Sequence, residues 1–165
     1  MTEQAPNDVT VGFEAAYRRW YPEVYRYVRR RIGDDVAADV TAEVFSVAWR
    51  RNDVFSRADL PLAWLYGVAR HSVANARRAH RRRLALLEKA GLDAAPSHHQ
   101  PDTEVLDALA GLRQGDREVL MLVAWEGLTG PDLAAALGCS EAAARQRLSR
   151  ARSRLAAALT EGAPR

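Results

Sequence analysis

The chain has 165 residues, enough for one ordinary domain or two small helical ones, and 48% of them are hydrophobic, which suffices for real cores. Its formal net charge is +3, and 23 of its 24 basic residues are arginine, a bias typical of phosphate and base recognition or of a GC-rich genome. One cysteine excludes both a disulfide framework and a cysteine-rich zinc site. We find no signal peptide and no apolar run near the length of a membrane span, so we expect a cytoplasmic protein without a span of its own.

The N-terminal half is predicted to form three amphipathic helices. Residues 1–11 are polar and predict a loose, disordered tail, after which helical periodicity predicts a first helix over 13–32, with a bend near Pro22 and an end at Gly33. A second helix is predicted over 35–51, and a loop containing Phe55 over 52–61. A third helix is predicted over 62–83, and its AWLYGVA segment favours core packing for Trp64 over base stacking.

The second half of this third helix is strongly basic. No acidic residue occurs between Asp59 and Glu88, and that interval contains Arg70, His71, Arg77, Arg78, His80, Arg81, Arg82 and Arg83. Such a density of cations predicts attraction to a phosphate backbone and a steep dependence of binding on salt.

Composition changes sharply at GLDAAPSHHQPD, residues 91–102, which is rich in Pro, Ala, Ser and His. With its flanking residues from 87 onward, this stretch predicts a flexible linker between two domains. An isolated pair such as His98 and His99 in a linker is more typical of solvated side chains than of metal ligands.

Helices resume over 103–112 and 116–125, and they precede a predicted helix-turn-helix within TGPDLAAALGCSEAAARQRLSRARSRL, residues 129–155. Thr129 and Asp132 match a capping box at the start of its first helix, and Gly138 suits a left-handed helix end. Ser140 is predicted to cap the second helix.

That second helix has one apolar and one polar face. Ala144, Leu148, Ala151 and Leu155 share a narrow stripe that should pack inward, while the opposite face carries Ala142, Gln146, Ser149 and Ser153, flanked by Arg145, Arg147, Arg150, Arg152 and Arg154. Gln146, Ser149 and the nearer arginines are predicted to contact base edges in a major groove, and the other arginines to contact phosphates. A solvated helix in an ordinary bundle is the alternative.

Several segments, in order, resemble extracytoplasmic-function (ECF) sigma factors of the sigma-70 family. FEAAYRRWYPEVYRYVRRRIGD, DVAADVTAEVFSVAWRR and LPLAWLYGVARHSVANARRAHRRR are similar to successive parts of the family's second region. GLRQGDREVLMLVAWEGLTGPDLAAALGCSEAAARQRLSRARSRL is similar to its fourth region, including the REVL helix, the EGL turn and the RLSRAR signature. The resemblance covers nearly the whole chain, but Ala42 stands where the family usually has glutamine, and EAAA replaces the usual small-glycine-threonine start of the last helix.

The resemblance implies an all-α fold of two small helical domains joined by a flexible linker, with region 2 over 12–86, the linker over 87–102 and region 4 over 103–160. It also implies a non-enzyme, without cofactor or metal, that binds core RNA polymerase, directs it to promoters with −10 and −35 elements and melts the −10 element. Because Arg165 follows soon after the last helix, we expect no C-terminal self-regulatory extension.

Site residues and partners follow from the same resemblance. Asp39 and Glu43 are predicted to bind the clamp helices of the largest polymerase subunit, with Phe45 and Trp49 nearby for apolar contact. For Trp49 alone, packing in the core is favoured. The residues predicted to bind the −10 element are Asn52, Asp53, Phe55, Arg70, His71, Asn75, Arg77, Arg78, Arg81 and Arg82. The residues predicted to bind the −35 element are Arg145, Gln146, Arg147, Ser149, Arg150 and Arg152. The flap region of the second polymerase subunit and an anti-sigma factor are further implied partners.

Three other functions compete with this interpretation. A stand-alone helix-turn-helix regulator with an N-terminal dimerisation or sensing domain would bind palindromic DNA without polymerase. A polymerase adaptor would leave both arginine-rich helices without a role. A nucleic-acid-processing enzyme needs a metal or nucleophile cluster, and the four histidines lack metal-ligand spacing.

Overall fold

The fold is all-α. The computed structural model describes residues 8–90 and 104–162, and within them every regular element is a helix. The eight helices of these ranges fall in two compact units that divide between Leu92 and Asp93. The division lies inside the predicted linker, so the two-domain prediction is confirmed; His98 and His99 lie outside the described residues.

The first unit is a bundle of three long helices and one short one. These are α1 (Asp8–Ile32), α2 (Asp34–Arg50), α3 (Asn52–Phe55) and α4 (Pro61–Lys89). Helices α1, α2 and α4 pack against one another in all three pairs. Gly33 separates α1 from α2 with a φ of 83°, a left-handed conformation that costs glycine little, so the predicted helix end at Gly33 is confirmed.

The core of this unit lies where the three long helices meet. Tyr27, Leu65 and Val44 are fully buried, and the rings of Tyr27 and Tyr66 lie 5.1 Å apart between centroids. Thr41 is also fully buried, and its hydroxyl donates to the Ala37 carbonyl at 2.7 Å, which satisfies the polar atom without a partner from another helix.

Two arginines close the C-terminal end of α1. Arg31 is buried, donates to the Tyr27 carbonyl at 3.1 Å and lies over the Tyr27 ring at 3.5 Å. Arg77 of α4 donates from Nη2 to the Arg31 carbonyl at 2.6 Å. The last carbonyls of a helix lack intrahelical partners, so Arg77 fills one of these positions and ties α4 to α1.

We therefore expect Arg77→Met to lower the free energy of unfolding by about 1–2 kcal/mol, the range for a hydrogen bond from a charged donor in a half-buried position. Arg81→Met, which removes an exposed arginine one turn further along α4, is expected to change it by less than about 0.5 kcal/mol. Urea denaturation followed by circular dichroism measures both, and equal losses would contradict the role of Arg77 in holding the bundle.

Three predicted boundaries of the first unit are wrong. Residues 8–11, predicted as part of the tail, are helical because α1 begins at Asp8. The first four residues of the predicted loop over 52–61 form α3. Helix α4 runs to Lys89 and so enters the predicted linker, because the residues that follow position 83, LALLEK, are strong helix formers and no glycine or proline intervenes. Helix α1 is continuous through Pro22, and the bend there stays a prediction.

The second unit comprises α5 (Glu104–Gly111), α6 (Gln114–Ala124), α7 (Gly130–Leu137) and α8 (Glu141–Gly162). Helix α8 packs against each of the other three. Leu122, Leu133 and Leu137 are buried with Ala144 and Ala151 of α8, so the predicted inward stripe of α8 is confirmed at its two alanines.

The turn between α7 and α8 follows the predicted capping chemistry. Gly138 is left-handed (φ 63°, ψ 41°), and the amides of Gly138 and Cys139 donate to the carbonyls of Ala135 and Ala134 in a Schellman motif. The Ser140 hydroxyl accepts the Ala143 amide at 3.2 Å, so the cap on α8 is confirmed.

The capping box at the other end of α7 is wrong. Thr129 occupies the N-cap position with extended backbone, but its side chain makes no capping hydrogen bond. Pro131 in the first turn has no amide hydrogen, which removes one of the two donors that an N-cap side chain can bond.

Candidate nucleic-acid interface

The outward face of α8 presents every side chain predicted to read duplex DNA. Ala144 and Ala151 are buried on the other side of the helix, so the polar face of α8 points outward. The predicted residues are all exposed: Arg145, Gln146, Arg147, Ser149, Arg150 and Arg152. No acidic residue occurs in α8 between Glu141 and Glu161, so this face combines a continuous positive charge with amide and hydroxyl groups that can hydrogen-bond base edges.

Arg154 differs from the other arginines of α8. Its Nη1 lies 2.6 and 2.8 Å from the two carboxylate oxygens of Asp116, in the first turn of α6. The sequence predicts Arg154 as a flanking cation of the DNA-facing surface, but α6 supplies a carboxylate that periodicity within α8 does not reveal.

A separate acidic surface lies on α2 of the first unit. Asp39 and Glu43 are both exposed and one turn apart on the same side, and Ala42 beside them is exposed as well. Asp35 adds negative charge in the first turn, whereas Asp34 lies 3.6 Å from Nε of Arg29. Both carboxylates of Asp39 and Glu43 are exposed to a basic partner surface, and their binding to such a partner stays a prediction.

The two aromatic residues predicted beside these acids lie in different environments. Phe45 is 3% exposed, and its ring lies 4.7 Å from that of Tyr17 and 6.0 Å from that of Tyr21, so the prediction of Phe45 as a partner contact is wrong. Trp49 contacts the Phe13 ring edge-on at 5.0 Å between centroids but remains 47% exposed. The prediction that Trp49 packs in the core is therefore wrong, because nearly half of the residue is open to solvent. Burial, and then the neighbouring phenols of Tyr17 and Tyr25, raise the pKa of Tyr21 above its ordinary value.

These two environments predict unequal losses of stability when each ring is truncated to alanine. Phe45→Ala removes a buried ring and is expected to cost about 3–5 kcal/mol of the free energy of unfolding. Trp49→Ala, which removes a half-exposed ring, is expected to cost less than half as much. Thermal denaturation of the two variants measures both losses, and a larger loss of stability for Trp49→Ala would contradict this assignment.

The region around α3 contains three of the residues predicted to contact the −10 element. Asn52 is half-buried and Asp53 exposed, and their contact with DNA stays a prediction. Phe55 is buried, with its ring 6.2 Å from Phe13 and 5.4 Å from Trp64. The prediction that Phe55 contacts DNA is therefore wrong for this arrangement, because the two neighbouring rings cover it. Val54 is 39% exposed in the same turn, an exposure that its residue type does not signal.

The predicted DNA-binding residues of α4 lie on two stripes of the helix. His71, Asn75, Arg78 and Arg82 recur at helical spacing on one exposed face, with exposed Arg81 to one side. Arg78 donates to Oδ1 of Asn75 on this face. Arg70 and Arg77 lie on a second, half-buried stripe. Arg77 bonds to α1, so the prediction that it contacts DNA is wrong for this arrangement, while that for Arg70 stays a prediction.

The described residues contain no group of three or more His, Cys, Asp or Glu side chains arranged to hold a metal ion. Cys139 is half-buried in the turn before α8. Across the same ranges of the chain, no helix combines the length and hydrophobicity that crossing a membrane requires.

Two family models match the chain in the order of its two units. The model for sigma-70 region 2 matches residues 16–83, and the model for sigma-70 region 4 matches residues 102–155. The first match includes α2, α3 and most of α4, and the second includes the helix-turn-helix of α7 and α8 through Leu155.

Curated relatives and a solved structure agree with these matches. The chain is 35% identical over 132 residues to the "Probable RNA polymerase sigma factor RfaY" of Xanthomonas campestris pv. campestris, which covers 72% of this chain but only 33% of that protein. It is 35% identical over 152 residues to the ECF RNA polymerase sigma factor SigD of Mycobacterium tuberculosis, covering 81% of this chain and 70% of SigD.

The fold is similar to that of the sigma factor RpoE of Bartonella quintana, solved in complex with the anti-sigma factor NepR, with a TM-score of 0.64 and 23% identity over 92% of this chain and 99% of that one. By its region 2 and region 4 matches and its identity to SigD, the chain belongs to the ECF sigma factors of the sigma-70 family.

Proposed function

We propose that this protein is a transcription initiation factor that binds the core of bacterial RNA polymerase and directs it to promoters with −10 and −35 elements. The observation that carries the proposal is the division of charge between two units. The first exposes the carboxylates of Asp39 and Glu43 on α2, and the second exposes the arginine-rich face of α8. A protein that must hold a protein partner and DNA at once needs two such surfaces.

Helix α8 is the element that reads the −35 element as a duplex. An α-helix fits the B-DNA major groove, where each base pair presents its own pattern of donors and acceptors. Gln146 and Ser149 lie at the centre of the exposed face and supply hydrogen bonds to base edges. Arg145, Arg147, Arg150 and Arg152 neutralise phosphates and contribute base contacts where they reach them.

The first unit opens the −10 element and holds its displaced strand. Arg78 and Arg82 on the exposed stripe of α4 attract the strand's phosphates, while Asn52 and Asp53 on α3 offer polar groups to an extruded base. Extruding a base costs a few kcal/mol, and stacking and hydrogen bonds to the freed strand offset this cost, with about 1–3 kcal/mol for each stacked base.

Polymerase holds both units through separate contacts. The acidic face of α2 binds the basic clamp helices of the largest subunit, and the second unit binds the flap region of the second subunit. Two tethered contacts raise each other's effective concentration, so neither need be tight alone. In this role the protein has no catalytic chemistry of its own and acts in the cytoplasm, where polymerase works.

We further propose that an anti-sigma factor holds the protein inactive by covering its polymerase-binding and DNA-binding surfaces. RpoE, which is similar in fold, is solved in complex with an anti-sigma factor, NepR. The acidic face of α2 and the basic face of α8 are exposed and oppositely charged, so a regulator that masks both needs surfaces of both signs.

Competition for core polymerase tests the proposed function. The purified chain is expected to form an equimolar complex with core polymerase and to displace a fluorescent housekeeping sigma factor from it. A stand-alone helix-turn-helix regulator would show no such displacement and would bind a palindromic duplex without polymerase, which would contradict the proposal.

A further inference from the structure

One charged contact joins the DNA-facing helix to the rest of its unit. Arg154 of α8 and Asp116 of α6 are separated by 38 positions in the sequence, and Nη1 of the arginine contacts both carboxylate oxygens, at 2.6 and 2.8 Å. The Asp116 side chain is only 13% exposed, while that of Arg154 is 48% exposed. The carboxylate is thus the buried partner, and its charge is compensated from α8.

Nothing about α8 itself distinguishes Arg154 from the phosphate-binding arginines. It lies one turn after Arg150 and two turns after Arg147, on the same side of the helix. An arginine at this position would ordinarily extend the phosphate-facing row. The Asp116 carboxylate neutralises its charge and engages its guanidinium, which removes it from that row.

We propose that Arg154 is a positioning residue: its ion pair with Asp116 sets the rotation and axial position of α8 on α6, and so determines which side chains of α8 reach the bases. This inference rests on the proposed function, in which α8 reads the promoter duplex. A consequence of this role is that Asp116 affects promoter selection without contacting a nucleotide.

The packing around this ion pair explains why a directional contact is needed. The residues of α8 that are fully buried in the unit are Ala144 and Ala151, whose small side chains interlock little with neighbouring helices. Leu148 and Leu155 on the same stripe are only half-buried. A charge-assisted hydrogen bond to a largely buried carboxylate has a defined direction and length, so it restricts sliding that an alanine stripe would allow.

A positioning role and a phosphate contact predict different responses to mutation. Loss of a phosphate contact lowers the slope of log affinity against log salt by about one and weakens binding evenly across sequences. Loss of a positioning contact leaves that slope unchanged and reduces discrimination between promoter and mismatched duplex. Under a positioning role, removing the Asp116 carboxylate also reduces this discrimination. Under a phosphate-contact role, removing this nearby acid should instead strengthen binding to DNA.

The test measures the affinity of the polymerase holoenzyme for a matched promoter duplex and for one with a mismatched −35 element, over a range of salt concentrations. The variants are Arg154→Ala, Asp116→Ala, the charge swap Asp116→Arg with Arg154→Asp, and Arg150→Ala as a phosphate-contact comparison. We expect each single variant of the pair to reduce discrimination about five- to tenfold with an unchanged salt slope, and the swap to recover most of it. Arg154→Lys, which keeps the charge but not the guanidinium, should lose less than Arg154→Ala and serves if the alanine variant fails to fold.

The outcomes separate the two levels of the proposal. Wild-type holoenzyme that selects no duplex would contradict the proposed function, and this role with it. The positioning role alone would be overturned by a different set of results, in which the wild-type holoenzyme does select a promoter. In that set, Arg154→Ala lowers the salt slope as Arg150→Ala does, and Asp116→Ala binds DNA more tightly. A swap that restores no discrimination would overturn it as well.

Discussion

Replacing Asp39 and Glu43 together with arginine is expected to weaken binding to core polymerase by about 100-fold or more, because it places like charges against the partner, which costs several kcal/mol across an interface. Both carboxylates are exposed and lie one turn apart, and neither side chain is needed for the buried core of the first unit. Circular dichroism should therefore show an unchanged helix content. Competition against a fluorescent sigma factor measures the loss.

The matched control for this variant is Glu14→Arg with Glu88→Arg. It changes the net charge of the first unit by the same amount but alters exposed positions on α1 and α4. We expect it to lower polymerase affinity less than about threefold, since it alters only long-range attraction and the exposed ion pair between Glu14 and Arg18. Equal losses for the two double variants would show that net charge, rather than the face of α2, governs binding.

Two double variants of α8 are expected to affect promoter recognition in different ways. Gln146→Ala with Ser149→Ala should reduce discrimination between matched and mismatched −35 elements by about 10- to 100-fold, since each lost base contact costs about 1–3 kcal/mol. Arg145→Ala with Arg152→Ala should instead weaken binding evenly and lower the salt slope by about two.

Each of these variants is the control for the other. All four side chains are exposed on one helix, so truncating them should leave the packing of Ala144 and Ala151 unchanged. Salt titrations of holoenzyme on matched and mismatched duplexes measure both quantities. If the glutamine and serine pair lowers the salt slope and the arginine pair alters discrimination, α8 is oriented differently in the groove.

Most features that depend on one helix at a time could be predicted from the sequence, the capping box at Thr129 being an exception. The exposed face of α8 follows from the 3.6-residue period, and Gly138 and Ser140 follow from the chemistry of helix ends. The exposure of Asp39 and Glu43 follows from the same periodicity in α2.

Features that depend on a second helix could not be predicted in this way. Phe45 and Phe55 are covered by aromatic rings of other helices, and Arg77 and Arg154 find their partners on α1 and α6. Periodicity gives the direction of a side chain from its own helix but not the residue that meets it there. Composition likewise gave the wrong end for α4, at residue 83, because helix-forming residues continue past the last basic cluster to Lys89.

The most direct test of the central claim is transcription by purified core polymerase from a library of genomic promoter fragments, with and without this protein, followed by mapping of the RNA 5′ ends. We expect initiation at a set of promoters that share two sequence elements, one upstream element read as duplex and one melted at the start site. Binding of this protein to duplex DNA without any polymerase-dependent start sites would contradict the account.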